Sequence, residues 1–184
     1  MPIDAILWRR LDTPGHDACR LEQNDARWVL EGTAVFLENS VPARLAYCIL
    51  GDSAWRTTQG QVHGWLGGHG VDLRITRTSG GVWMLNGAAV PGLEACVDLD
   101  LSFTPSTNLL QLRRAALKEG QATDLPVAWL DVASATLRVL PQRYERRSNA
   151  SYWYEAPSVD YRGLLEVGSS GFILRYPRLW EAES

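Results

Sequence analysis

A chain of 184 residues, 46% hydrophobic and 21% charged, is long enough to bury a real core without disulfide or metal staples, and it is too apolar for a disordered or fibrous protein. The formal net charge of −3 supplies no basic field for phosphate backbones, so no nucleic-acid partner is expected. Cys19, Cys48 and Cys96 are widely spaced and never form a CxxC pair, which argues against a disulfide framework or zinc site and predicts free thiols.

In chain order, the opening MPIDAILWRRLD lacks the charged and apolar regions of a secretory leader, and no stretch approaches 18 uncharged apolar residues. A cytoplasmic protein without a transmembrane segment is the expectation. Alternation at period two then predicts strands over 4–11, 17–23, 26–38, 43–51, 61–66, 71–77, 82–86 and 95–103. Turns rich in Gly, Asn and Asp separate them, among them Gly67-Gly68, Asn86-Gly87 and Pro91-Gly92. The segment TPSTNLLQLRRAAL breaks the alternation. Thr107 or Asn108 can cap it, and Leu109, Leu112 and Ala116 recur at helical spacing, which predicts a short helix over 107–114; Arg113 to Leu117 could instead open the next strand. Strands follow at 126–132, 136–140, 151–156, 160–168 and 171–176, with a second helical turn at 131–135 capped by Asp131. No repeat or linker divides the chain. It reads as one mainly-β domain over 1–184, an antiparallel β-roll or open barrel with one or two short helices.

The strand ACVDLDLSF puts Asp98 and Asp100 on one face, roughly 7 Å apart along the backbone because each residue rises about 3.3 Å. That spacing overlaps the range of about 6.5–9.5 Å between the carboxyls of an inverting glycosidase. The simpler reading pairs each aspartate with an arginine of a neighbouring element, Arg74 or Arg114. Eight tryptophans and six tyrosines suit both a β core and a platform for stacking sugars. In Tyr152-Trp153-Tyr154 the two tyrosines share a face. The nucleophile and metal motifs fail: Gly51-Asp52-Ser53 has no late histidine to serve it, and His16, His63 and His69 match no metal signature. No catalytic residue, metal or cofactor is expected.

Several blocks taken in order resemble a family of bacterial proteins described as glycolipid-binding. They are Asp52-x-x-Trp55-Arg56-Thr57, Gly80-Gly81-Val82-Trp83, Cys96-Val97-Asp98-Leu99-Asp100-Leu101, Thr104-Pro105-Ser106-Thr107-Asn108 with Arg113-Arg114, Gln142-Arg143-Tyr144, Tyr152-Trp153-Tyr154 and Tyr176-Pro177, spanning about residues 28–178. The chain departs from the family pattern at Ser106, where an aromatic is usual, and at Gln111, where a proline is usual. The resemblance implies a long sheet rolled around a cavity, similar in outline to carriers of lipoproteins, and an amphipathic ligand, a glycolipid in the family's description.

Without a catalytic constellation, these residues favour a binding protein over an enzyme. The ligand-binding residues expected from the matched blocks and the polar face are Trp55, Arg56, Trp83, Asp98, Asp100, Thr107, Asn108, Arg113, Tyr144 and Tyr154. The alternative is a hydrolase acting on a sugar or ester through Asp98 and Asp100. The sequence carries no specific sign of oligomerisation.

Overall fold

The computed structural model describes residues 3–23 and 25–183. The first half of the chain forms β1 (Ile3–Arg10), β2 (Gly15–Gln23), β3 (Arg27–Glu38), β4 (Val41–Asp52), β5 (Thr57–Leu66), β6 (His69–Arg77), β7 (Trp83–Leu85), β8 (Ala88–Val90) and β9 (Leu99–Leu101). The helix α1 (Asn108–Ala115) follows, then β10 (Ala122–Asp124), β11 (Val127–Asp131), β12 (Thr136–Leu140), β13 (Arg143–Ser148) and β14 (Ser151–Ala156). A single 3-10 turn at Pro157–Val159 leads into β15 (Tyr161–Val167), β16 (Ile173–Tyr176) and β17 (Trp180–Ala182).

Fourteen strands make one antiparallel sheet in the order β10-β13-β14-β15-β16-β17-β1-β2-β3-β4-β5-β6-β7-β8. The two ends of that order, β10 and β8, are not paired, so the sheet rolls without closing into a barrel. Alternation sets the faces: on β2, Asp17, Cys19 and Leu21 turn inward and His16, Ala18 and Arg20 outward; on β15, Tyr161, Gly163, Leu165 and Val167 turn inward. The longest pairing, β3 with β4, runs from Arg27↔Asp52 to Glu38↔Val41. Gly32 sits there because the Tyr47 ring lies directly over it; a Cβ would collide with the Tyr47 hydroxyl and the Ala18 carbonyl.

A second sheet, β12-β11-β9, lies on the concave side. Its β9–β11 pair is parallel, Ala128↔Leu99 to Leu130↔Leu101, which departs from the antiparallel expectation. Parallel neighbours need a crossover of a dozen or more residues, and α1 lies within this one. The strand expected over 95–103 shrinks to β9, and both of its faces are buried: Leu99 and Leu101 on one side, Asp98 and Asp100 on the other. Together with Leu109 and Leu110 of α1 and Val127 and Leu130 of β11, these leucines fill the concave side that the resemblance assigned to a cavity. Each such buried side chain contributes roughly 1.5–3 kcal/mol.

The helix lies one residue beyond its expected span. Thr107 holds the N-cap position without capping: its backbone is helical, and its hydroxyl donates instead to Asp100. Ala116 ends the helix in the left-handed region, which excludes the alternative of a strand beginning at Arg113. The second expected helix, 131–135, is a turn. Asp131 does accept the Ala133 N–H there at 3.1 Å, but the chain moves straight into β12.

Candidate functional site

Because neighbouring strands run antiparallel, one mouth of the roll collects the end of β1, the ends of β3 and β5, the start of β15, the end of β16 and the start of β17. A two-part groove opens there, between the rim of the large sheet and the inner β9–β11 pair. Its first hollow, about 250 Å³, has Tyr154, Tyr161, Tyr176 and Trp180 on the large-sheet side and Asp100, Asn108 and Trp129 on the inner side. The second, about 320 Å³, shares Ser102 and Trp129 with the first and adds Arg10, Phe36, Glu38 and Asp131. Arg10 ties the two together, its guanidinium carbon 5.1 Å from the Phe36 ring centre and 5.5 Å from that of Trp180.

The tyrosines form one contiguous wall. Ring centres of Tyr161 and Tyr176 are 4.8 Å apart, those of Tyr154 and Tyr176 5.7 Å, and those of Tyr144 and Tyr154 4.8 Å, all tilted or edge-on. Burial pushes the Tyr144 and Tyr176 hydroxyls well above the ordinary phenol range, so they remain neutral. A buried relay runs behind the wall. Asn108 donates from Nδ2 to the Tyr144 hydroxyl (2.7 Å), Tyr144 donates to Gln142 Oε1 (3.3 Å), and Gln142 Nε2 donates to Asp100 Oδ2 (2.6 Å). Thr107 donates to Asp100 Oδ1 (3.1 Å). Asn108, whose Nδ2 is committed to Tyr144, lines the hollow. Burial raises the Asp100 carboxyl to about 6 despite the hydrogen bonds from Gln142 and Thr107. Near neutral pH it is an acceptor at the floor of the groove.

The loop between β9 and α1 forms the rest of that floor and is fastened from below. Asp17 on β2 accepts the Tyr47 hydroxyl at 2.9 Å and the Thr104 hydroxyl on the same Oδ2, while its Oδ1 has no partner among the described residues. Thr104 in turn accepts the Ser106 N–H at 3.0 Å. Ser106, the departure from the family pattern, is thus a polar member of a buried network that an aromatic could not join.

Of the ten residues expected from the sequence, Asp100, Asn108 and Tyr154 line the first hollow, and Thr107 and Tyr144 stand immediately behind it. The others lie elsewhere. Arg114 clamps the wholly buried Asp98 through Nε (3.0 Å) and Nη2 (2.6 Å), so the two aspartates have separate partners and Asp98 does not line the groove. Burial raises the Asp98 carboxyl and Arg114 offsets part of that. Trp55 stacks on Trp28 with ring centres 5.6 Å apart, under the Arg113 guanidinium at 5.2 Å, and Arg113 donates to the Ser170 carbonyl. Arg56 pairs with Asp52 at the surface (2.9 Å). Trp83 is buried and donates to the Cys96 carbonyl (3.1 Å). Among the described residues no cluster of His, Cys, Asp and Glu could hold a metal ion. Sequence reasoning did not single out Arg10, Trp129, Tyr161, Tyr176 or Trp180 for the site, although Tyr176-Pro177 was among the matched blocks.

Fold and site together define a mainly-β protein whose rolled, unclosed sheet surrounds a small inner sheet and opens on an aromatic groove. The chain belongs to the family described as "Putative glycolipid-binding", whose profile matches residues 5–182. The crystal structure of a DUF1089 family protein from Pseudomonas aeruginosa has the same fold, with a TM-score of 0.80 over 91% of each chain at 23% identity. No curated protein matches the chain. Among the described residues no helix is long and apolar enough to cross a membrane.

Proposed function

We propose that this protein binds an amphipathic ligand, a glycolipid as the family description suggests, with the sugar-bearing head seated in the mouth groove. The observation that carries the reading is one hollow in which five aromatic side chains, Trp129, Tyr154, Tyr161, Tyr176 and Trp180, converge with a buried carboxylate and a buried asparagine. Apolar walls with a few placed polar atoms are the usual form of a small-molecule site. Aromatic faces suit the C–H faces of a sugar ring, and Asp100 accepts its hydroxyls. Chemistry on the bound sugar is disfavoured, because a paired-carboxylate mechanism needs both groups to flank the scissile bond and Asp98, clamped by Arg114, does not line the groove.

The test is titration with monomeric octyl glucoside followed by tryptophan fluorescence, since Trp129 and Trp180 line the groove. Saturable binding is expected, weakened about fivefold by Tyr176→Ala, which removes roughly 1 kcal/mol of aromatic contact, and also weakened by Asp100→Asn. Absence of saturation, or equal binding by Tyr176→Ala and the wild type, would overturn the proposal. Native mass spectrometry of gently purified protein, followed by organic extraction, would identify any ligand retained.

A further inference from the structure

We infer that the groove carries an oxyanion subsite at its mouth, so that its ligand bears a phosphate, sulfate or carboxylate beside the sugar. This rests on the groove reading above and narrows its ligand class.

Trp129 and Tyr161 face the first hollow from opposite walls, one on the inner sheet and the other on the large sheet. Each ring carries a guanidinium: the Arg138 carbon lies 4.6 Å from the Trp129 ring centre and the Arg178 carbon 5.3 Å from that of Tyr161. Both arginines are exposed, and among the described residues neither has a carboxylate partner, whereas Arg10, Arg20, Arg56, Arg114, Arg143 and Arg147 all do. Stacking restrains a guanidinium while leaving its N–H edge free for a planar or tetrahedral oxyanion.

The placement is built into the backbone. Arg138 lies directly across from Trp129 in the β11–β12 register. Arg178 takes φ +70 at the turn between β16 and β17, a left-handed conformation unfavourable for a residue with a Cβ, and Tyr161 donates to the adjacent Pro177 carbonyl at 2.8 Å. The same ring therefore anchors the turn and receives the cation.

Charge then orients the ligand. Asp100 at the floor of the first hollow and Glu38 and Asp131 in the second repel an anion placed deep in the groove, while Arg138 and Arg178, stacked on two of the rings that line the first hollow, attract one beside them. The hydroxyl-bearing ring enters and the acidic substituent faces outward. A neutral glycoside would satisfy the floor and leave both arginines unused.

The experiment compares octyl glucoside, octyl glucoside 6-phosphate and octyl glucuronide at one low and one high salt concentration, with wild type and the R138Q/R178Q variant. Expected is roughly tenfold tighter binding of at least one acidic probe at low salt, from two solvent-facing ion pairs, narrowing as salt rises. Whichever acidic probe gains more distinguishes a phosphate from a carboxylate. In R138Q/R178Q that gain disappears while octyl glucoside affinity stays within about twofold, which also shows that the variant is folded. Equal affinity for neutral and acidic probes in the wild type, or a gain that survives R138Q/R178Q, overturns the subsite and leaves the groove intact. If no probe binds, the groove reading itself fails.

Discussion

Acidification from pH 7.5 to 5.0 stabilises this fold, because Asp17 and Asp100 sit inside the roll with carboxyls raised by burial to about 6 from an ordinary 3.8. A carboxyl that holds its proton more tightly folded than unfolded makes the native state the greater proton binder between those values, so stability grows as pH falls through the window. The full difference is worth about 3 kcal/mol per group at ~1.36 kcal/mol per pH unit, and about 1.4 kcal/mol has been gained by pH 5. The proton has a place to go, since Asp17 Oδ1 is unpartnered among the described residues and its arrival leaves the Tyr47 and Thr104 hydroxyls on Oδ2 undisturbed. Urea unfolding at pH 7.5, 6.5, 5.5 and 5.0 is the assay. With a slope of about 2 kcal/mol/M, the midpoint climbs by roughly 1 M or more over that range. Asp17→Asn and Asp100→Asn each remove a share of about 1.4 kcal/mol, and the double variant keeps only the part that the raised Asp98 carboxyl supplies. A wild-type midpoint that is flat or falls towards pH 5, or a climb that is undiminished in the double variant, refutes the reasoning.

Other consequences are equally direct. Arg114→Gln strands the buried Asp98 carboxylate and costs about 3–5 kcal/mol in urea melts, most of which returns when Asp98→Asn is added. Gly32→Ala drives a methyl into the Tyr47 ring, which cannot retreat because its hydroxyl is tied to Asp17; the expected loss is about 2–3 kcal/mol, read as a lower melting midpoint. A thiol reagent modifies Cys48 first in the folded protein, since Cys19 and Cys96 are buried, and all three react in urea.

Period-two alternation made the long strands legible, because β2, β3, β4 and β15 each turn one face to the core. It could not show β8, β10 or β17, three residues each, too short to display a period. β13 was hidden for another reason: Arg143, Glu145, Arg146 and Arg147 leave it without apolar alternation, although the strand pairs with β14 and buries Tyr144. The bonds of Asp98 and Asp100 divide likewise. An arginine partner for Asp98 was foreseeable, and Arg114 is one of the two candidates named. Asp100's partners Thr107 and Gln142 depend on the fold of the loop after β9 and on the position of β13. In a β protein an aromatic residue defaults to the core, so Trp129, Tyr161, Tyr176 and Trp180 carried no individual signal. Only the order β15-β16-β17-β1, with the inner sheet opposite, gathers them at one mouth.

The filled concave side bears on what kind of binding the fold permits. Sites that swallow a drug-sized ligand occupy about 300–1,000 Å³, and of the hollows here, about 250 and 320 Å³ with a shared wall, one falls just below that range and the other just inside it. Room for an acyl chain inside the roll would require β9 and α1 to leave the sheet. That movement breaks the bonds that tie these elements to the rest of the chain: Gln142 to Asp100, Asn108 to Tyr144, Thr104 to Asp17 and the Leu99 N–H to Thr57. Breaking several buried polar contacts at once, each costing about 1–3 kcal/mol if left unmet, would consume most of a domain's typical stability of about 5–15 kcal/mol. A ligand that binds without unfolding the plug therefore leaves its tail outside the groove. In the function proposed here, the protein reads the head group of an amphipathic molecule and does not enclose the whole of it.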